Sequence, residues 1–258
     1  MKYASMKEGR QAGGLRLVLS QGVPGPWGEA AKAIFKVKGL DYLAVAQEGG
    51  GENAELREWT GQSSAPVAVW QEEPPRIDSL DILFLAERLA PAPRLIPEDV
   101  EQRARMFGIT REIIGRRGLG WMRRIMIFAP IMGSGQAPES IRRMAERYAY
   151  RDDVAQAAPG EVARILEFLG RTLERQQEAG SRYLVGDTLS AADLYWAAFS
   201  NIISPMPPEK CPIPEWLRAS YAAIGPVVEA ALNPLLLAHR DFVWAEHIGL
   251  PMDFLPTP

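Results

Sequence analysis

Apolar and polar positions follow two different rhythms along this chain. Leu15 to Leu19 is nearly continuous in apolar residues, as expected of a strand covered on both faces. Gly25-Pro26 then opens a helical period from Trp27 to Lys38, with Pro26 suited to the first helical position and Gly39 to the stop. Leu43 to Ala46 predicts a second strand and Pro66 to Trp70 a third. Asp78-Ser79 caps a further helix whose apolar face is Leu80, Leu83, Phe84 and Leu85. The proline-rich stretch Ala90 to Pro97 breaks the pattern, because proline disfavours continuing a helix.

Beyond Pro97 the period is helical almost throughout. Helices are expected over 98–115, 121–128, 139–150, 161–178, 191–202, 215–223 and 227–246. Ser190-Ala191-Ala192-Asp193 ahead of Leu194-Tyr195-Trp196 has the form of a capping box. The fold class is therefore α/β plus all-α. Its expected organisation is a disordered leader over 1–14, an α/β domain over 15–90, a linker over 91–97 and an all-helical domain over 98–258.

Composition narrows the chemistry. With one cysteine, Cys211, and two histidines, His239 and His247, among 258 residues, the chain has no intramolecular disulfide and no cysteine-cluster metal site. No metal is expected. The polar first fourteen residues lack the apolar stretch of a signal peptide, and no apolar run approaches the ~20 residues of a membrane span, so a cytoplasmic protein is expected. Net charge is −3, but it is unevenly spread. Residues 103–151 hold eleven arginines, no lysine and three acids, a local balance of +8 against −11 elsewhere. That remainder argues against a nucleic-acid surface. Several motif-like strings carry nothing. His239-Arg240-Asp241 lacks the glycine-rich loop and lysine of a kinase, and Gly49-Gly50-Gly51 lacks the Lys-Ser/Thr of a phosphate loop.

Four strings in order do carry a resemblance. They are Gly25-Pro26-Trp27-Gly28-Glu29-Ala30 running to Lys36-Val37-Lys38-Gly39-Leu40, Ala65-Pro66-Val67, Asp78-Ser79, and Gly186 to Asp193. On the layout above, the chain resembles the cytosolic glutathione S-transferase superfamily. Its first helix is most similar to that of omega-type members, although Gly25 occupies their catalytic cysteine position. The resemblance implies a thioredoxin-like N-terminal domain followed by a helical-bundle C-terminal domain, with glutathione as co-substrate and a homodimer.

It also implies a site. Ala65, ahead of a cis Pro66, would pair with the peptide part of glutathione, and Trp27 would flank it. Asp78 would take the γ-glutamyl ammonium, and Ser79 at the helix start the α-carboxylate. Ser20, the one hydroxyl in the strand–helix junction, would stabilise the thiolate, with junction backbone N–H groups as the competing source. Phe107, Arg111 and Trp121 would meet the second substrate, a small apolar electrophile. The alternative is a non-catalytic member that binds a ligand or a protein. The segment after Val243 either folds over the cleft or packs on the helices.

Overall fold

A computed structural model describes residues 1–257; Pro258, the last residue of the C-terminal segment, lies outside them. The first half runs α1 (Met6–Gln11), β1 (Leu15–Ser20), α2 (Pro26–Val37), β2 (Leu43–Gln47), α3 (Ala54–Thr60), β3 (Val67–Trp70) and α4 (Ser79–Leu89). The second half is helical: α5 (Val100–Ile114), α6 (Leu119–Gly133), α7 (Glu139–Arg147), α8 (Asp152–Glu178) and α9 (Ala191–Phe199), then α10 (Glu215–Ala222), α11 (Pro226–Ala231) and α12 (Pro234–Val243).

The sheet has the order β2-β1-β3. β1 pairs parallel with β2 and antiparallel with β3, so that Leu17 lies opposite both Ala44 and Ala68. A parallel pair needs a crossover, and α2 supplies it. The central place of β1 explains its apolar run. Leu15, Leu17 and Leu19 pack into the main core with Ile34, Phe35 and Leu83, whereas Val18 joins Val45, Leu56, Val67 and Val69 in a second cluster on the other face. This is the expected thioredoxin-like half joined to a helical half.

Four expectations about elements are corrected. Residues 1–14 are not a disordered leader. Ala4 bonds to Ala44 and Ala46 at the sheet edge, and Ser5 and Glu8 form a capping box for α1. Gly9 permits that docking, since a Cβ there would lie 2.6 Å from the Val45 side chain. The helix α3 between β2 and β3 was not expected. α8 begins at Asp152 rather than 161, because Pro159 lies inside the helix without ending it. The expected helix over 227–246 is broken at Asn233-Pro234, where the Asn233 carboxamide caps the Leu235 N–H at 2.9 Å.

The linker is pinned rather than loose. The buried Lys38 ammonium donates to the Pro93 carbonyl at 2.6 Å and pairs with Glu87. Leu95 is buried, and its carbonyl accepts the Ala191 N–H at 2.9 Å. The C-terminal segment returns to the first half. Met252 and Phe254 are buried, the Gly22 N–H donates to the Phe254 carbonyl at 3.2 Å, and the Lys32 ammonium donates to that of Asp253 at 2.6 Å. No helix among the described residues is long and apolar enough to cross a membrane.

Candidate functional site

A cavity of about 1060 Å³ opens between the two halves. Its first wall is built from chain ends. Ser20 is the last residue of β1, Ala65 and Pro66 precede β3 across a cis peptide bond, and Asp78 and Ser79 begin α4. Residues at strand ends and helix starts are held by the element but free at the tip, which suits them to meet a ligand.

The Ser20 hydroxyl oxygen accepts a hydrogen bond from the Gln47 carboxamide, whose own oxygen accepts from Asn53 at 2.9 Å. A hydroxyl has one donor and two acceptor positions, so this bond leaves the Ser20 O–H free to donate elsewhere. Asn53 sits in the left-handed region at φ 46° and also donates to the carbonyls of Glu48 and Ser63. One side chain thus fixes the loop on either side of α3 and holds Gln47 in place.

Asp78 is the N-cap of α4. Its Oδ1 accepts from the Leu80 N–H at 2.8 Å. The helix start behind it favours anions. The Ser79 carbonyl accepts the Tyr195 hydroxyl at 2.9 Å, so a residue of α9 sets the position of this corner. Burial pushes the Tyr195 phenol far above its usual range, and the Asp78 charge adds to it.

The second wall is aromatic and cationic. Trp27, in the first turn of α2, reaches into the helical half. Its indole N–H donates to the Ile114 carbonyl at 3.3 Å, and its ring meets Phe199 edge-on at 4.8 Å. Tyr148 lies 5.8 Å from Trp27, 4.6 Å from Trp121 and 5.7 Å from Phe128. Burial raises the Tyr148 phenol pKa against the opposing pull of Arg124. Arg123 is structural: fully buried, it donates to the carbonyls of Ile202, Ser220, Tyr221 and Ala223 and ties α6 to α10. Burial and its neighbour Arg124 pull its pKa down to about 10. Glu29 also lines the cavity. Burial raises its pKa, with the Lys32 ammonium, 2.9 Å from both its oxygens, pulling the other way.

The structure brings Ser20, Trp27, Ala65, Pro66, Asp78, Ser79, Arg111 and Trp121 to this one cavity. Phe107 is corrected. It sits one turn, about 6 Å, nearer the N-terminus of α5 than Arg111. There its ring packs on Phe84 of α4, 5.8 Å away, between two helices rather than at the cavity. Sequence reasoning missed Gln47, Arg124, Tyr148 and Tyr221 as lining residues. Gln47 is the one polar residue of β2 and sits at its end, a signal that could have drawn attention to it. Arg124 lies within the arginine-rich segment 103–151, but nothing singles it out there, and Tyr148 and Tyr221 are brought to the cavity by packing that no local string marks. Among the described residues no group of three or more His, Cys, Asp or Glu side chains is placed to hold a metal.

Residues 121–224 match the family model of the glutathione S-transferase C-terminal domain. No curated protein matches the sequence. Solved structures do resemble the chain. A glutathione S-transferase domain-containing protein from Marinobacter aquaeolei VT8 is 16% identical, with a TM-score of 0.62 over 90% of this chain and 98% of its own. A glutathione S-transferase from Methylobacterium radiotolerans JCM 2831, in complex with glutathione sulfonate, is 15% identical with a TM-score of 0.56, covering 95% and 99%. One from Methylobacillus flagellatus KT with glutathione bound is 14% identical with a TM-score of 0.54, covering 87% and 98%. The chain has the two-part fold seen in the glutathione S-transferases: a thioredoxin-like half followed by a helical half, in which residues 121–224 match the model of that family's C-terminal domain.

Proposed function

We propose that the protein binds glutathione along the first wall of the cavity, holds its sulfur as the thiolate, and directs it at a small, largely apolar electrophile. The observation that carries this reading is convergence. Ser20, the cis Ala65-Pro66 pair and the α4 start at Asp78-Ser79 come from separate segments and line one cavity. The glutathione-bound neighbours with this fold add support. In this reading Asp78 takes the γ-glutamyl ammonium, the helix start takes the α-carboxylate, and Ala65 pairs with the cysteinyl backbone. The free Ser20 O–H donates to the sulfur, and the thiol proton leaves to water. A carbon–sulfur bond then forms as the leaving group departs with its electron pair. Gly25, the N-cap of α2, stands where omega-type members place their cysteine, so the protein contributes no thiolate of its own. A cytoplasmic homodimer belongs to the same reading, and the exposed Ile77, Phe84 and Val100 on the α4–α5 side offer it an apolar face.

Retention on immobilised glutathione, followed by conjugation of 1-chloro-2,4-dinitrobenzene, tests the proposal. Ser20→Ala is expected to lower kcat on the order of 10²-fold, as loss of one preorganised donor does. Its pH–rate profile should move to higher pH as the thiol becomes harder to ionise. Asp78→Ala is expected to raise the glutathione KM about tenfold. Neither retention nor conjugation in the wild type would refute the proposal. Retention without conjugation would favour the second reading, a non-catalytic glutathione-binding module, which rests on the junction from Ser20 to Pro26 holding no Tyr or Cys.

A further inference from the structure

The cavity's second wall combines two chemistries. Trp121, Ile127, Ile131 and Met144 make it apolar, and Arg111, Arg116, Arg124 and Arg147 make it cationic. Among the described residues, none of these four arginines forms an ion pair within 4.0 Å. Arg147 donates to the Ser63 hydroxyl, and Arg116 lies over the Trp121 ring at 5.8 Å. The two carboxylates of the cavity are already engaged. Glu29 is held by Lys32, and Asp78 caps α4 on the opposite wall.

Arg124 is the most enclosed of the four. It lies on α6, one turn after Trp121, with its guanidinium 5.8 Å from the Tyr221 ring centroid and Tyr148 on the same wall. Removing a guanidinium from water is costly, and phenol rings and hydroxyls compensate less well than a carboxylate, whose two oxygens match the guanidinium fork. The other three arginines are exposed, so they add a field rather than a fixed partner.

We infer that the electrophile carries an anionic group, a carboxylate seated on Arg124, beside an apolar reacting ring packed on Trp121. This inference rests on the transferase reading for its reaction and adds the substrate class. For an aryl halide bearing a carboxylate, the glutathione thiolate attacks the halogen-bearing carbon. The carbon–sulfur bond forms, the carbon–halogen bond breaks, halide leaves with the electron pair, and the ring carboxylate remains intact.

The test is a matched pair, 4-chloro-3-nitrobenzoate and 4-chloro-3-nitrobenzamide, with kcat/KM measured for both. The charged member is intrinsically the poorer electrophile, so each rate is divided by its uncatalysed rate with free glutathione. The wild type is expected to favour the benzoate about tenfold or more on that scale. Arg124→Gln should collapse the preference through the benzoate KM, and Arg124→Lys should restore part of it. Arg147→Gln, at an exposed position, should lower the preference less and make it less sensitive to salt. It keeps the test open should the Arg124 variants not fold. Calorimetric binding of 3-nitrobenzoate against 3-nitrobenzamide reads the same contact without turnover. Binding of the benzoate that Arg124→Gln abolishes, with no conjugation of either electrophile, would uphold the anion site and overturn the transferase reading. Conjugation with no charge preference, or a preference indifferent to Arg124→Gln and Arg147→Gln alike, would overturn the anion site alone.

Discussion

Cys211 is fully buried, and its burial pushes the thiol up to about 11, with Arg218 opposing the shift. The thiol therefore stays neutral at every pH at which the protein would work, and thiol reagents react with the anion. At pH 8 the folded protein should be alkylated by iodoacetamide more than about a hundredfold more slowly than the urea-unfolded chain. Mass spectrometry of the Cys211 peptide measures this, and comparable rates would contradict the burial. The positions of Ser20 and Asp78 were legible because they follow from local pattern, the end of a strand and the start of a helix. Gln47 was not. Its role depends on Asn53, six residues on, holding a left-handed conformation that the sequence permits but does not announce. Phe107 failed for the opposite reason: its helix was read correctly, but which turn of it faced the cavity was decided by Phe84 on another helix.

At the scale of elements, the start of α9 concentrates more hydrogen bonds than its motif discloses. The Asp193 carboxylate is fully buried and accepts from the Leu184 N–H, the Ser190 N–H and the Ser190 hydroxyl, each at 2.8 Å, and from His239 Nε2 at 2.9 Å. A proton on Nε2 satisfies that contact, which leaves His239 Nδ1 as a buried acceptor without a partner among the described residues. Asp193→Ala strands all four donors and should cost about 3 kcal/mol or more in urea denaturation. Asp193→Asn, with one oxygen left, should cost less. A loss below about 1 kcal/mol in the alanine variant would mean that solvent reaches the site. The Ser190–Asp193 spacing was visible in the sequence, but its partners from residues 184 and 239 were not. Strands and long amphipathic helices were equally visible. The break at Asn233-Pro234 and the interior Pro159 of α8 were misjudged in opposite directions, since an Asn-Pro pair can cap a new helix while a proline inside a packed one removes a single bond.

Over the whole molecule, the C-terminal segment is a strap across both halves. Phe254 is buried in the main core, and its carbonyl holds the Gly22 N–H in the loop that follows Ser20. Phe254→Ala should cost about 3–5 kcal/mol by leaving a cavity. If the strap positions the junction loop, the same variant raises the glutathione KM as well, and an unchanged KM would confine its role to stability. No pattern in Trp244 to Pro258 specifies where this strap lands, because a short apolar segment carries no address. The division into two halves was readable, but the cavity between them required the packing of α2 on α9. Trp27 joins the two halves. Rooted in the first half and enclosed by Phe199 and Tyr148 of the second, it belongs to both walls at once. A ligand that shifts it from one side alters the surface offered to a ligand on the other, and such coupling is necessarily reciprocal. The two walls therefore cannot evolve independently: a change that tunes one affinity through Trp27 is felt in the other.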